Sequence, residues 1–228
     1  PKETRCLIRL SRGGGDAVVL REYDLKAKKM ATDGFALKEA KSDASYLDDD
    51  TVLFSTDFGK GSLTNSGYAR IAKLWKRGTS IDAAKTLYEG KTEDVQIAPA
   101  TFHTRAGDAG VVIRAVSFFE NEYYAVEAAK ASVTKLALPL FADLKGRIDG
   151  AWVTTLRKDY TDPAGGEKIG KGSLVLFRDG GTQVLYAPQA RDSIETVAVG
   201  RDGIYAAIAR NVISTVRVFK HAPQGWIE

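Results

Sequence analysis

Four groups of residues have types and spacings from which chemistry can be built. The first is Gly165 to Gly172, GGEKIGKG. A phosphate-binding loop needs Gly, four residues, then Gly-Lys and a hydroxyl residue, because backbone N–H groups cradle the phosphates and the hydroxyl reaches magnesium at a helix start. Gly165, Gly170 and Lys171 fit, but Gly172 stands where the hydroxyl belongs, and Ser173-Leu174-Val175-Leu176-Phe177 behind it reads as a strand. Gly59-Lys60-Gly61-Ser62 fails for the same reasons. Both read as hairpin loops. The second group, Asp48-Asp49-Asp50, has the hard oxygen ligands that calcium takes. An EF-hand loop needs glycine at its sixth position, where Leu53 stands here inside an apolar run. A solvated hairpin turn is the better reading. The third group, His103, His221 and Cys6, is too widely separated for a zinc site. The fourth is aromatic: Trp75, Trp152 and Trp226 with the pairs Phe118-Phe119 and Tyr123-Tyr124. Aromatics at strand positions serve a ligand platform or the core between sheets, and core is expected. No catalytic, cofactor-binding or metal-ligating residue is assigned.

The elements that carry these residues read as strands. Thr51-Val52-Leu53-Phe54 is short, apolar and rich in β-formers. Ile71 to Arg77 alternates apolar and basic, the period-2 mark of a half-buried strand. Between them Gly59, Gly61 and Gly67 with Asn65 and Ser66 make a long connection that neither helix nor strand tolerates. The best helix candidate, Glu120 to Ala131, has helix-favouring Ala and Glu but contains Glu122-Tyr123-Tyr124-Ala125-Val126, and it reads as a strand running into a turn.

The strands fall into groups at about the 40–50 residue spacing of propeller blades. The first group is Cys6–Leu10, Ala17–Leu25 and Lys29–Ala31. The second is Ala44–Leu47, Thr51–Thr56, Ile71–Arg77 and Lys85–Tyr88. The third is Val95–Phe102, Gly110–Phe119, Glu122–Ala128 and Val133–Leu138. The fourth is Phe141–Ile148, Ala151–Tyr160, Ser173–Arg178 and Gln183–Ala187. The last is Ile194–Val199, Gly203–Arg210 and Ser214–Lys220. Asp48-Asp49-Asp50, Ala106-Gly107-Asp108, Asp149-Gly150 and Arg201-Asp202-Gly203 supply turns between first and second strands, where Gly and Asp accept positive φ. Periodicity alone leaves a sandwich, an open barrel and a propeller equally open.

At 228 residues the chain is long for one domain but ordinary for an all-β one. The net charge of +4 is modest and its Lys and Arg are dispersed among acids, which argues against nucleic acid. No apolar run approaches the roughly 18 residues of a membrane span. One cysteine forbids an intrachain disulfide and suits cytoplasm and periplasm alike. An opening on Pro1, with Met30 the sole methionine, suggests a piece of a longer chain.

The run Ser55 to Gly78, with Arg21-Glu22-Tyr23-Asp24-Leu25 before it and Glu89 to Val95 (EGKTEDV) after it, resembles the propeller region of prolyl-oligopeptidase-like serine peptidases, in their divergent bacterial branch. The resemblance implies an all-β chain: a β-propeller segment of four-stranded antiparallel blades, three whole and two partial. The boundaries expected are a partial blade over 1–36, blades over 37–92, 93–140 and 141–190, and a partial blade over 191–228. It also implies a parent whose α/β-hydrolase domain, absent here, carries a Ser-Asp-His triad and cleaves short peptides. The propeller would then gate peptide access, with no cofactor.

The nucleophile of such a hydrolase sits in Gly-x-Ser-x-Gly. No serine here has both glycines; the nearest approach, Gly78-Thr79-Ser80-Ile81-Asp82, ends on Asp82. His103 and His221 read as surface or satisfied polar residues rather than triad bases. The expected partners are therefore the parent's hydrolase domain and peptide substrate, with self-association through truncated blade edges. A stand-alone propeller-like module binding protein or carbohydrate is the alternative. A propeller enzyme of the lactonase or sialidase kind, needing a metal or central acids and arginines, is the third reading.

Overall fold

Alternating side chains on short segments, punctuated by Gly and Asp, give antiparallel strands throughout the computed structural model, which describes residues 4–163, 166, 168–223 and 225–228. The chain divides into two compact units, Pro1–Thr101 with Asp108–Ala137, and Phe102–Gly107 with Leu138–Glu228.

In the first unit, β1 (Arg5–Ser11) pairs with β2 (Val18–Asp24), and β2 pairs in turn with β3 (Lys29–Met30) and β4 (Ala36–Ala40). The strand β4 was not expected from the sequence. Its Ala-Leu-Lys-Glu-Ala lacks β-branched residues, and it is held by Leu37, buried opposite Leu20. The second sheet orders β5 (Asp43–Asp48), β6 (Thr51–Ser55), β7 (Ile71–Lys76) and β8 (Lys85–Glu89). All five residues of β6 are buried, as its unbroken apolar run requires. A third sheet orders β12 (Ser132–Lys135), β11 (Asn121–Glu127), β10 (Gly107–Ala115) and β9 (Gln96–Thr104). Glu120 to Ala131 is thus a strand followed by a turn, as its β-branched and aromatic centre dictates.

Two apolar clusters fill the first unit. Leu20, Phe35, Leu37, Val52 and Phe54 join the first two sheets, and Leu47, Leu53, Leu74, Ile97 and Val112 join the next two. Gly110 is required there, because a Cβ would stand 2.7 Å from Leu53 Cδ1.

The second unit holds a sheet ordered β13 (Ala142–Ile148), β14 (Ala151–Leu156), β17 (Leu174–Arg178) and β18 (Gly181–Tyr186). Between β14 and β17 a small hairpin forms from β15 (Tyr160–Thr161) and β16 (Lys168–Ile169). The expected strand Ala151–Tyr160 therefore ends early. Asp159 turns the chain by accepting Lys171 N at 2.9 Å and the Lys168 ammonium at 2.7 Å. The last sheet orders β19 (Asp192–Val199), β20 (Ile204–Arg210), β21 (Ile213–Ala222) and β22 (Gly225–Ile227). The short β22 pairs with Lys220–Ala222 and so adds an edge to three full strands. Ile204, Ala206, Ile208 and Phe219 pack against Val153, Leu174 and Leu176 of the preceding sheet.

The three tryptophans pack as expected, Trp75 beside Phe54, Trp152 beside Phe177 and Trp226 against the Ile204 cluster. Tyr123 is buried, and Tyr124 packs on the Val112 cluster. Phe118 and Phe119 do not follow: they are 84% and 67% exposed. β10 stops at Ala115, and Val116 N donates to Glu120 O at 2.9 Å, so the pair sits at a hairpin tip instead of in a strand.

Candidate functional site

The long connection from Thr56 to Arg70 is built as a rigid loop. Asp57 Oδ1 accepts Gly59 N at 2.7 Å, and Ser62 Oγ accepts Phe58 N at 2.8 Å. Arg70 then stitches the loop base: Nε donates to Gly61 O at 2.6 Å, Nη1 to Gly90 O at 2.8 Å, and Nη2 pairs with Glu89 at 2.8 Å. The tip is pinned to the next sheet, since Thr64 Oγ1 and Ser66 Oγ both donate to Val95 O, at 3.0 and 2.9 Å. Tyr68 donates to Asp16 at 2.8 Å while Lys41 covers its ring. These contacts give each of Gly59, Gly61 and Ser62 a conformational or bonding task within the protein. The phosphate-loop spacing is coincidental. At the other near-match Gly165 lies outside the described residues; Gly172 has φ of 82° and leads into β17, not a helix.

Two clamps of arginine on carboxylate stand out elsewhere in the first unit. Glu22 is fully buried and receives four hydrogen bonds: two from Arg77 at 2.8 and 2.7 Å, one from Tyr46 at 2.6 Å and one from Phe35 N at 3.1 Å. Burial alone would raise its pKa; the Arg77 and Tyr46 donors outweigh burial and hold it below the ordinary value. Gly34 must be glycine, since a Cβ would stand 2.4 Å from Glu22 Oε2. The second clamp has Arg114 bidentate on Asp94 at 2.9 and 2.8 Å and on Glu122 at 3.0 Å. Burial pushes Glu122 up, but Lys135, Tyr124 and Arg114 prevail and bring it down to about 2.

This second clamp recurs. Asp94 precedes a first strand and Arg114 lies at the end of the second. In the last sheet Asp192 opens the first strand and Arg210 closes the second, bonded at 2.7 and 2.8 Å, and in the fourth Asp143, second in β13, lies 3.3 Å from Arg157, which follows β14. The sequence reading did not find this pattern.

Of the other sequence candidates, Asp48-Asp49-Asp50 forms a tight β5–β6 turn with Asp50 N donating to Asp48 Oδ1 at 2.8 Å. Ser80, the nearest approach to a nucleophile elbow, instead caps the one-turn 3₁₀ segment Ile81–Ala83, accepting Asp82 N at 3.2 Å. His221 lies 3.8 Å from Asp149 and packs, tilted, against Trp226 with ring centroids 5.5 Å apart. Among the described residues, no group of three or more His, Cys, Asp or Glu could hold a metal ion.

Successive four-stranded antiparallel sheets, each connected to the next in chain order, define a propeller-type β domain. Residues 1–228 match the family described as prolyl oligopeptidase, N-terminal β-propeller domain, and the chain belongs to that family. An uncharacterized peptidase of Sinorhizobium fredii is 29% identical over 99% of the chain, and one of Rickettsia prowazekii is 24% identical over 97%. The chain spans about a third of their length, 33% and 34%. Among solved structures, a post-proline cleaving enzyme from Rickettsia typhi superposes with a TM-score of 0.89 at 24% identity, covering 99% of this chain and 36% of that one. Oligopeptidase B from Leishmania major gives 0.69 at 10% identity, over 98% and 30%. The likeness in fold far exceeds the likeness in sequence.

Proposed function

We propose that the chain is the non-catalytic propeller of a prolyl-oligopeptidase-type serine peptidase, gating peptide access to a hydrolase domain in the same polypeptide. The observation that carries this is the family match over residues 1–228 together with relatives called peptidases that are about three times as long. A ring of blades excludes bulky chains by sterics and limits water at a nucleophile below it, so short peptides are the substrate class. Pinned loops suit that role, since a filter that flexed freely would not discriminate. The blade boundaries 1–36, 37–92, 93–140, 141–190 and 191–228 belong to the same proposal.

The test is the coding sequence beyond Glu228, followed by kinetics of the whole product. Continuation into Gly-x-Ser-x-Gly with a later Asp and His supports the reading. Arg70→Ala, which unpins the long loop, should then raise cleavage of long peptides relative to short ones. A stop codon shortly after Glu228 would leave a self-contained binding module, and an unchanged length preference in the variant would remove the gate.

A further inference from the structure

Phe118 and Phe119 are the most exposed large apolar side chains of the first unit, and the gating role gives them no task. The turn that carries them is rigid. Val116 N and Ser117 N donate to Glu120 O at 2.9 and 3.2 Å, and Ser117 Oγ accepts Phe119 N at 3.3 Å. Just below the tip, Ala115 faces Asn121 and Arg114 faces Glu122 across β10 and β11. Arg114 bonds both Glu122 and Asp94, so one guanidinium ties the two legs of the hairpin to the connection before β9. Val95 N donates to Ala115 O at 2.8 Å, and Val95 O takes the Thr64 and Ser66 hydroxyls of the long loop. The two rings stand on a fixed base, so docking them costs little further ordering.

The tip's chemistry and size select its occupant. Residues 115–121, Ala-Val-Ser-Phe-Phe-Glu-Asn, contain one acid and neither Lys nor Arg, so the tip lacks the cations that hold a segment on anionic lipid. At their exposure the two rings offer roughly 300 Å², whereas a stable interface between free proteins takes about 800 Å² from each. The patch does not extend: Leu10, Leu25 and Met30, the other exposed large apolar residues of this unit, lie on or beside the first sheet. A tethered partner needs far less area, because a short linker holds it at an effective concentration on the order of mM. The curated relatives, of which this chain spans 33% and 34%, have the length for such a partner.

We propose that Phe118 and Phe119 form a peg that docks in an apolar pocket on a further domain of the same polypeptide. This rests on the reading of the chain as part of a longer peptidase.

The test uses the whole gene product with p-benzoylphenylalanine in place of Phe118, irradiated and mapped by mass spectrometry. The crosslink should run within one polypeptide, to apolar residues outside 1–228. Phe118→Ser combined with Phe119→Ser should lower the thermal midpoint of the whole product by several degrees. The same pair of changes should leave the midpoint of the 228-residue protein where it was, because there both rings face solvent. A crosslink confined to residues 1–228, a crosslink to another molecule, or none at all would overturn the peg. So would an equal fall in midpoint in both proteins. Failure of the underlying reading looks different: a reading frame that stops near Glu228 removes peg and gate together, whereas a hydrolase domain that the probe never reaches removes the peg alone.

Discussion

Glu22 gives up its water on folding and is compensated by four donors, with Arg77 stacked at 4.6 Å on Phe35. Removing one partner strands the other charge, so Arg77→Met should cost about 3–5 kcal/mol in urea unfolding. The double variant Glu22→Leu with Arg77→Met should recover part of that loss, because no buried charge then remains unpaired; an equal or larger loss would show that packing, not charge, dominates the node. Glu122 makes a prediction in pH. Its folded pKa of about 2 lies below the ordinary 4.5, so it stabilises the fold fully above about pH 4.5. That contribution falls with acidification, at up to about 1.4 kcal/mol per pH unit, and is gone near the folded value. Glu122→Gln should flatten this part of the acid-denaturation profile. At this scale little was legible in the sequence. Glu22 sits in the recognisable Arg21–Leu25 run, yet its partner Arg77 is 55 residues away. The Asp–Arg clamps also escape a fixed-spacing search, because the hairpin between Asp and Arg differs in length from sheet to sheet.

Two-residue hairpins need positive φ at both central positions to match strand twist. Asp149-Gly150 satisfies this cheaply, at 46° and 77°. Asn211-Val212 does not: Val212 is β-branched, held at φ 62° and 97% exposed, so its side chain earns no burial in return. Val212→Gly should stabilise the protein by about 1 kcal/mol and raise the thermal midpoint; no rise would show that the hairpin relaxes to another turn. Elements of this kind were largely readable beforehand, because a dense period-2 pattern and Asp-Gly turns act locally. The exceptions have physical causes. Strands β15 and β16, like β3, have only two residues each, too short for any period. Phe118 and Phe119 were misplaced because propensity favours strand for aromatic pairs, whereas the closing bond from Val116 N to Glu120 O fixes the turn around them.

The largest scale concerns how a sheet face recruits another sheet. In the second unit Ile204, Ala206, Ile208 and Phe219 use one face of the last sheet. The opposite face presents Tyr205 across from Val218 and Ala207 across from Val216, with Tyr205 39% and Val216 68% exposed. Its pattern matches the face of the fourth sheet that receives the last one, where Val153 faces Leu176 and Thr155 faces Leu174 across the strands. A surface made to take an aliphatic sheet, with Val212 and Ile213 exposed at its rim, favours association when no such sheet covers it. The 228-residue protein should therefore self-associate, its light-scattering mass rising with concentration. Val216→Lys puts a charge in the centre of that face and should return the mass to that of the monomer without lowering thermal stability, since the residue buries little. A constant monomer mass across a wide concentration range would show that the polar Ser214 and the Glu195 carboxylate it bonds already suffice to keep the face in water. Association unaffected by Val216→Lys would instead move the contact to another surface, of which the Phe118-Phe119 tip is the most apolar in the first unit.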